Sequence, residues 1–201
     1  PRDDTEIMVD CVLKLLSWII PPPTGTPFEK GRNKWISLID IWTGTSCIPI
    51  SILNNSNNIS HTFVVDIMKQ ALEVSKVNID RHKYSKVITQ CHWSLLDPII
   101  KLLKWNIIIT ANLPYILDND FDHMDKETVE HEPDSALYWG TVTWFELYEK
   151  LIQQSLELKK SWNISEINLF IEIWFDQKEY SQKYLNNLWL KNIYHKDNWW
   201  I

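Results

Sequence analysis

Residues 106–116 read NIIITANLPYI. Ile107, Ile108, Ile109 and Thr110 form a β-branched run with no polar alternation, the pattern of a strand buried on both faces. Strands of that kind belong to parallel sheets that carry helices on each side. The run closes on Asn112, and Pro114, which lacks an N–H, cannot extend a ladder.

Outward from this strand, similar runs recur. ISLIDI (36–41), TFVVDI (62–67) and KVITQC (86–91) lie upstream; INLFIEI (167–173) and a weaker NIYH (192–195) lie downstream. Amphipathic stretches at helical spacing separate them, at 47–55, 68–82, 145–160 and 178–190. The second is expected to turn Ala71, Leu72, Val74 and Ile79 toward the core. Another helix is expected over 4–18, stopped by Pro21, Pro22 and Pro23 and followed by a polar loop over 24–34. Residues 117–135 read as a long acidic loop. This alternation predicts an α/β fold, a doubly wound and mostly parallel sheet flanked by helices. In such sheets ligands bind beyond the carboxyl ends of the strands. The residues that follow each strand are therefore the ones to read for chemistry.

With 201 residues the chain is long enough for one sizeable core. Hydrophobic residues at 45% and charged residues at 23% place it with globular rather than disordered chains. A net charge of −6 without a Lys/Arg cluster argues against a nucleic-acid substrate, which selects for a basic face. No apolar run reaches the roughly 18 residues that span a bilayer, so no membrane partner is expected, and the cytoplasm is the expected compartment. Cys11, Cys47 and Cys91 are odd in number and far apart, neither a disulfide framework nor a metal-binding pair. His123 and His131 stand among Asp122, Asp125, Glu127 and Glu130. A solvated loop is the simpler reading, and no metal is expected.

Three strand exits carry candidate chemistry. Asp40 is followed by Trp42, Thr43 and Gly44, a turn that can bring backbone N–H groups against a cofactor, although any strand-to-helix turn can use a glycine. Asp66 ends its strand about 20 residues later, where a carboxylate can accept from both ribose hydroxyls of a nucleoside; a helix N-cap is the competing role. Asn112, Leu113, Pro114 and Tyr115 make a polar notch beside an aromatic wall. The Asn112 carboxamide oxygen and the next carbonyl can both accept from an amino nitrogen and aim its lone pair. An ordinary Asn-to-Pro turn is the alternative.

The order Asp40…Gly44, Asp66, Asn112-Leu113-Pro114-Tyr115 resembles class I, Rossmann-like methyltransferases that modify nitrogen, whose motif is Asn-Pro-Pro-Tyr; Leu113 departs from it. Pro1-Arg2-Asp3-Asp4-Thr5-Glu6, Glu132-Pro133-Asp134-Ser135-Ala136-Leu137, Gly140 with Phe145-Glu146-Leu147-Tyr148, and Leu169–Ile173 with Gln177 are similar to segments of the release-factor glutamine N5-methyltransferases. The resemblance implies S-adenosylmethionine as methyl donor. It implies, as acceptor, the glutamine amide of the Gly-Gly-Gln motif in class I peptide chain release factors. Asp40, Trp42 and Gly44 would then lie at the methionine side of the cofactor, Asp66 at its ribose and Ser94 near the adenine. Asn112, Leu113, Pro114 and Tyr115 would hold the substrate amide, with Asn112, Pro114 and Tyr115 at the chemistry. Residues 1–201 would be the catalytic domain, without the family's preceding helical domain and its final antiparallel strand. An adenine N6-methyltransferase shares the Asn112 motif and is the alternative activity.

Glycine and tryptophan are out of balance. The chain has 4 Gly and 12 Trp, where average usage would give about 14 Gly. Trp42, Trp93, Trp139, Trp144, Trp162, Trp174 and Trp189 stand where the family has glycine. Taken as tryptophan, they imply a blocked cofactor turn and a non-catalytic binding module. Otherwise the positions are glycine in the living organism, encoded by UGA.

Overall fold

A computed structural model describes residues 3–19, 36–113, 145–174 and 177–195. The elements are α1 (Asp3–Ile19), β1 (Ile36–Ile41), α2 (Cys47–Asn55), β2 (Ile59–Asp66), α3 (Lys69–Arg81), β3 (Ile88–His92), a short 3-10 turn (Ile100–Leu102), β4 (Trp105–Ala111), α4 (Glu146–Lys159), β5 (Ile164–Ile171) and α5 (Gln177–Asn187). The chain divides into two compact units. One comprises Pro1–Ala111 with Gln154–Ile171, the other Asn112–Gln153 with Glu172–Ile201.

The first unit holds the sheet. Five strands run in the order β3-β2-β1-β4-β5, and every pairing is parallel. The chain winds from β1 outward to β3, then returns to the other side of β1 for β4 and β5. That reversal is the topological switch at which α/β sheets bind ligands. The register aligns the strand exits. Ile41 is level with Val65 and Ala111, Asp66 with His92, and Ala111 with Ile171. The carboxyl ends of all five strands therefore share one edge of the sheet.

Why these strands sit centrally follows from their composition. Leu38, Ile39, Ile41, Val64, Val65, Ile107, Ile109 and Ala111 have no exposed surface, as unalternated apolar runs require. α1 packs a stripe of Met8, Val12 and Leu16, spaced by four, into the same core. α2 tolerates Pro49 because it falls in the first turn, where backbone N–H groups have no helical partner to lose.

Two expectations need correction. Residues 192–195 form no strand. Ile193 is exposed, and Tyr194 instead meets α5, its hydroxyl 3.1 Å from Ser181 Oγ and its ring under the Lys178 ammonium. Nor does α3 present Val74 to the core. Its buried residues are Ser75 and Ile79, one turn apart, while Val74 is 49% exposed. A helix turns 100° per residue, so a face that buries residue 75 leaves 74 at its margin. The apolar spacing alone hid this, because the buried partner of Ile79 is a serine.

Ile79→Ala is therefore expected to destabilise the protein by about 2–5 kcal/mol. Val74→Ala should stay within about 0.5 kcal/mol of wild type. Urea unfolding of the two variants checks the assignment, and equal losses would contradict it.

Candidate active site

The turn after β1 runs through Trp42, Thr43, Gly44 and Thr45 to Ser46, which caps α2 with a left-handed φ of 62°. Gly44 also has positive φ, 54°, and a side chain added there would meet nothing within 4 Å. The turn is thus open above Gly44. It is fixed from beside and below. Thr43 N donates to Val65 O at 3.1 Å, and Gly44 N donates to Asp66 Oδ2 at 2.8 Å. The other oxygen of Asp66 accepts from Met68 N, also at 2.8 Å. One carboxylate therefore joins the exit of β1 to the start of α3. Met68, not Asp66, is the N-cap residue of α3.

Asp40 lies beneath this turn and is wholly buried. Thr110 Oγ1 donates to its Oδ1 and Thr43 Oγ1 to its Oδ2, each at 2.6 Å. The contacts continue outward. Thr43 Oγ1 is 3.0 Å from Ser46 Oγ, Ser46 Oγ is 2.6 Å from Ser75 Oγ, and Gln90 Nε2 donates to Ser75 Oγ at 2.9 Å. The direction of the chain is set at both ends. When ionised, the Asp40 carboxylate only accepts, and the Gln90 amide must present its nitrogen because it also donates to the Leu72 carbonyl at 2.7 Å. Each hydroxyl then accepts from its outer neighbour and donates inward. Four side chains on three elements and the intervening turn become one polarised relay ending on Asp40.

Burial still dominates the charge. It pushes the Asp40 carboxyl up to about 7, against the pull of the Thr110 and Thr43 hydroxyls, and the nearby Asp66 charge adds to the rise. Asp66 is also raised, again by burial, with the Met68 and Gly44 N–H groups acting the other way.

Of the expected site residues, Asp40, Trp42, Gly44 and Asp66 come together at the carboxyl edge of the first unit. Ser94 is half-buried two residues past β3. Trp93, beside it, donates from its backbone to Asp66 O at 2.9 Å, which ties this exit to that of β2. Asn112 and Leu113 follow β4 and belong to the second unit. Pro114, Tyr115 and the 117–135 and 132–137 segments lie outside the described residues. Within the second unit Leu113 is buried, and its N–H donates to Tyr148 Oη at 3.0 Å. Tyr148 Oη donates to Glu172 O and lies 3.4 Å from Leu113 O. Tyr148 thus clasps the backbone that leaves β4 to the backbone that leaves β5. Sequence reasoning missed Thr110, Ser75, Gln90 and Tyr148. Thr110 alone left a signal, a hydroxyl inside an apolar strand.

No family model matches the chain. Among curated proteins it is 33% identical over 150 residues to a bifunctional methyltransferase of Rickettsia bellii, covering 69% of this chain and 26% of that protein. It is 29% identical over 194 residues to the release factor glutamine methyltransferase of Clostridium botulinum, covering 96% of this chain and 61% of that protein. The corresponding Bacillus cereus enzyme is 31% identical over 140 residues, with coverages of 70% and 44%. The N-terminal domain of human METTL16 in complex with SAH has the same fold, with a TM-score of 0.61 at 16% identity over 94% of this chain and 62% of that one. The chain belongs to the class I S-adenosylmethionine-dependent methyltransferases. It spans between about a quarter and three fifths of the length of these curated relatives. As a class I methyltransferase it has S-adenosylmethionine as its implied methyl donor. No helix among the described residues is long and apolar enough to cross a membrane.

Two predictions test the buried network of this methyltransferase. Because the folded-state pKa of Asp40 is raised from 3.8 to about 7, its contribution to stability is fully present below pH 3.8 and lost as pH rises through 7. Asp40→Asn should flatten that decline in thermal midpoint, leaving the smaller slope due to Asp66. An unchanged pH profile would remove Asp40 as its source. Ser75→Ala interrupts the relay, leaving the Gln90 Nε2 donor on one side and the Ser46 Oγ acceptor on the other without their partner, at a cost of about 1–3 kcal/mol by chemical denaturation; wild-type stability would show the relay to be dispensable.

Proposed function

We propose that residues 1–201 form the catalytic domain of an enzyme that moves a methyl group from S-adenosylmethionine to the side-chain amide nitrogen of a glutamine. The acceptor is the Gly-Gly-Gln motif of class I peptide chain release factors, and the enzyme acts in the cytoplasm. The observation that carries this reading is the similarity to a release factor glutamine methyltransferase over 96% of the chain, together with the Asn112-Leu113 exit of β4.

The residues fit such a cofactor. In this reading the open face above Gly44 lets the cofactor approach the turn, which also carries Trp42 and is held from beneath by the buried Asp40 through Thr43. A carboxylate has about four lone-pair positions, so Asp66 retains acceptor capacity for ribose hydroxyls after binding Gly44 N and Met68 N. Ser94 would lie toward the adenine. The bound cofactor supplies an electrophilic methyl group. The chain's contribution is positioning, which can supply most of the acceleration in a direct displacement. In this reading Asn112 Oδ1 and the Leu113 carbonyl accept from the substrate amide and orient its nitrogen, and Pro114 and Tyr115, which lie outside the described residues, would complete the substrate site. The Leu113 carbonyl has two lone pairs, so it keeps acceptor capacity beside the Tyr148 hydroxyl 3.4 Å away. Neither a metal nor a covalent intermediate is required.

Asn112→Ala is expected to lower methyl transfer about 100-fold while leaving cofactor affinity near wild type. Asp66→Ala should weaken cofactor binding first. Calorimetry with S-adenosylhomocysteine and a radiolabel transfer assay separate the two effects. The assay should offer a release factor and duplex DNA in parallel. Label on DNA with none on the release factor would assign the chain to adenine methylation instead, a reading its −6 charge opposes.

A further inference from the structure

Among the described residues, five that are not glycine have positive φ, and three of them are tryptophan: Trp42 at 57°, Trp105 at 66° and Trp189 at 58°. Left-handed backbone costs an L-residue roughly 1–2 kcal/mol, and a bulky residue there is an outlier. Glycine adopts it freely.

Each of the three stands at a place where chains use glycine. Trp189 follows α5. Leu190 N donates to Leu185 O at 3.1 Å, and Trp189 N donates to Asn186 O at 3.0 Å. These are the paired bonds of a Schellman motif, and Trp189 occupies its left-handed position, which is usually glycine. Trp105 opens β4 where the register with β5 shifts, a bulge position that glycine commonly fills. Trp42 lies in the turn after β1, two residues before Gly44. Of the other two, Ser46 is held by Thr43 and Ser75. Lys83 takes the same left-handed position after α3, with Tyr84 N on Ile79 O at 2.9 Å and Lys83 N on Asp80 O at 3.1 Å, but its side chain is unbranched and slender where tryptophan is bulky.

Two of the three indoles gain little by burial. Trp189 is 95% exposed and Trp105 43%, for a residue type that is highly buried on average, while Trp42 is half-buried. The composition agrees, with 12 Trp against 4 Gly where about 14 Gly are usual.

We infer that residues 42, 105 and 189 are glycine in the protein that its own cells make, each encoded by a UGA codon that those cells read as glycine. Trp139 and Trp144 lie outside the described residues, and Trp93, Trp162 and Trp174 do not have positive φ, so the structural argument rests on these three. Residue 42 matters for function, and here the inference rests on the proposed methyltransferase activity. Glycine at 42 removes a large side chain from the turn that would meet S-adenosylmethionine, and leaves Thr43 free to keep its bonds to Asp40 and Val65.

The test begins with the gene and with the native protein. UGA at the three codons, with peptides from native cells carrying the mass of glycine there, is the expected result. UGG codons, or UGA codons whose peptides carry tryptophan, overturn the inference. The recombinant chain gives a second measurement that needs no cofactor. Trp105→Gly and Trp189→Gly should each raise the thermal midpoint by about 2–4 °C, and a fall in both would count against the assignment. Calorimetry of Trp42→Gly with S-adenosylhomocysteine is expected to show affinity at least about tenfold tighter than that of the tryptophan form. Glycine peptides combined with a Trp42→Gly protein that does not bind would retain the codon inference and reject the methyltransferase reading.

Discussion

Taking the Asp40 carboxylate wholly out of water is costly, and the hydroxyls of Thr43 and Thr110 offset part of that cost. The turn that follows β1 depends on that pairing. Thr43 is one of its own residues, so the turn cannot change shape without stranding a buried charge. The relay through Ser46 and Ser75 to Gln90 extends the same constraint to α2, α3 and β3. The edge of the sheet is thereby set in advance of any ligand. Such preorganisation lowers the ordering cost that binding would otherwise bear.

Much of this was legible in the sequence. The unalternated runs at 36–41 and 106–112 marked central parallel strands, because strands covered on both faces have no solvent side to mark with polar residues. Asp40, Gly44 and Asp66 stood out because a strand exit is where α/β chemistry gathers. The relay was not legible. Ser75 and Gln90 look like surface residues in a linear pattern, and only the fold shows that their hydrogen bonds are spent inward. The same blindness put Val74 on the wrong side of α3. Residues 192–195 had β-like composition but pair with no strand among the described residues, and strand propensity without a partner decides little.

The second unit is organised differently. Phe145 and Tyr148 lie with ring centroids 5.1 Å apart, and Phe145 meets Tyr180 and Tyr184 edge-on at 5.7 and 6.1 Å. Aromatic pairs in this geometry contribute beyond the area they bury. Tyr180 and Tyr184 also reach polar partners, Glu149 at 2.6 Å and Gln153 at 3.0 Å. An aromatic cluster with hydroxyls at its rim thus joins the start of α4 to α5, and it fixes Tyr148 where its own hydroxyl serves backbone groups.

That hydroxyl bears on residue 113. The motif that this chain resembles has proline there, and proline has no N–H to give. Here Leu113 N supplies a hydrogen bond that Tyr148 Oη receives. The two positions are therefore energetically coupled, because proline at 113 would withdraw that donor and phenylalanine at 148 would remove the acceptor of the Leu113 N–H.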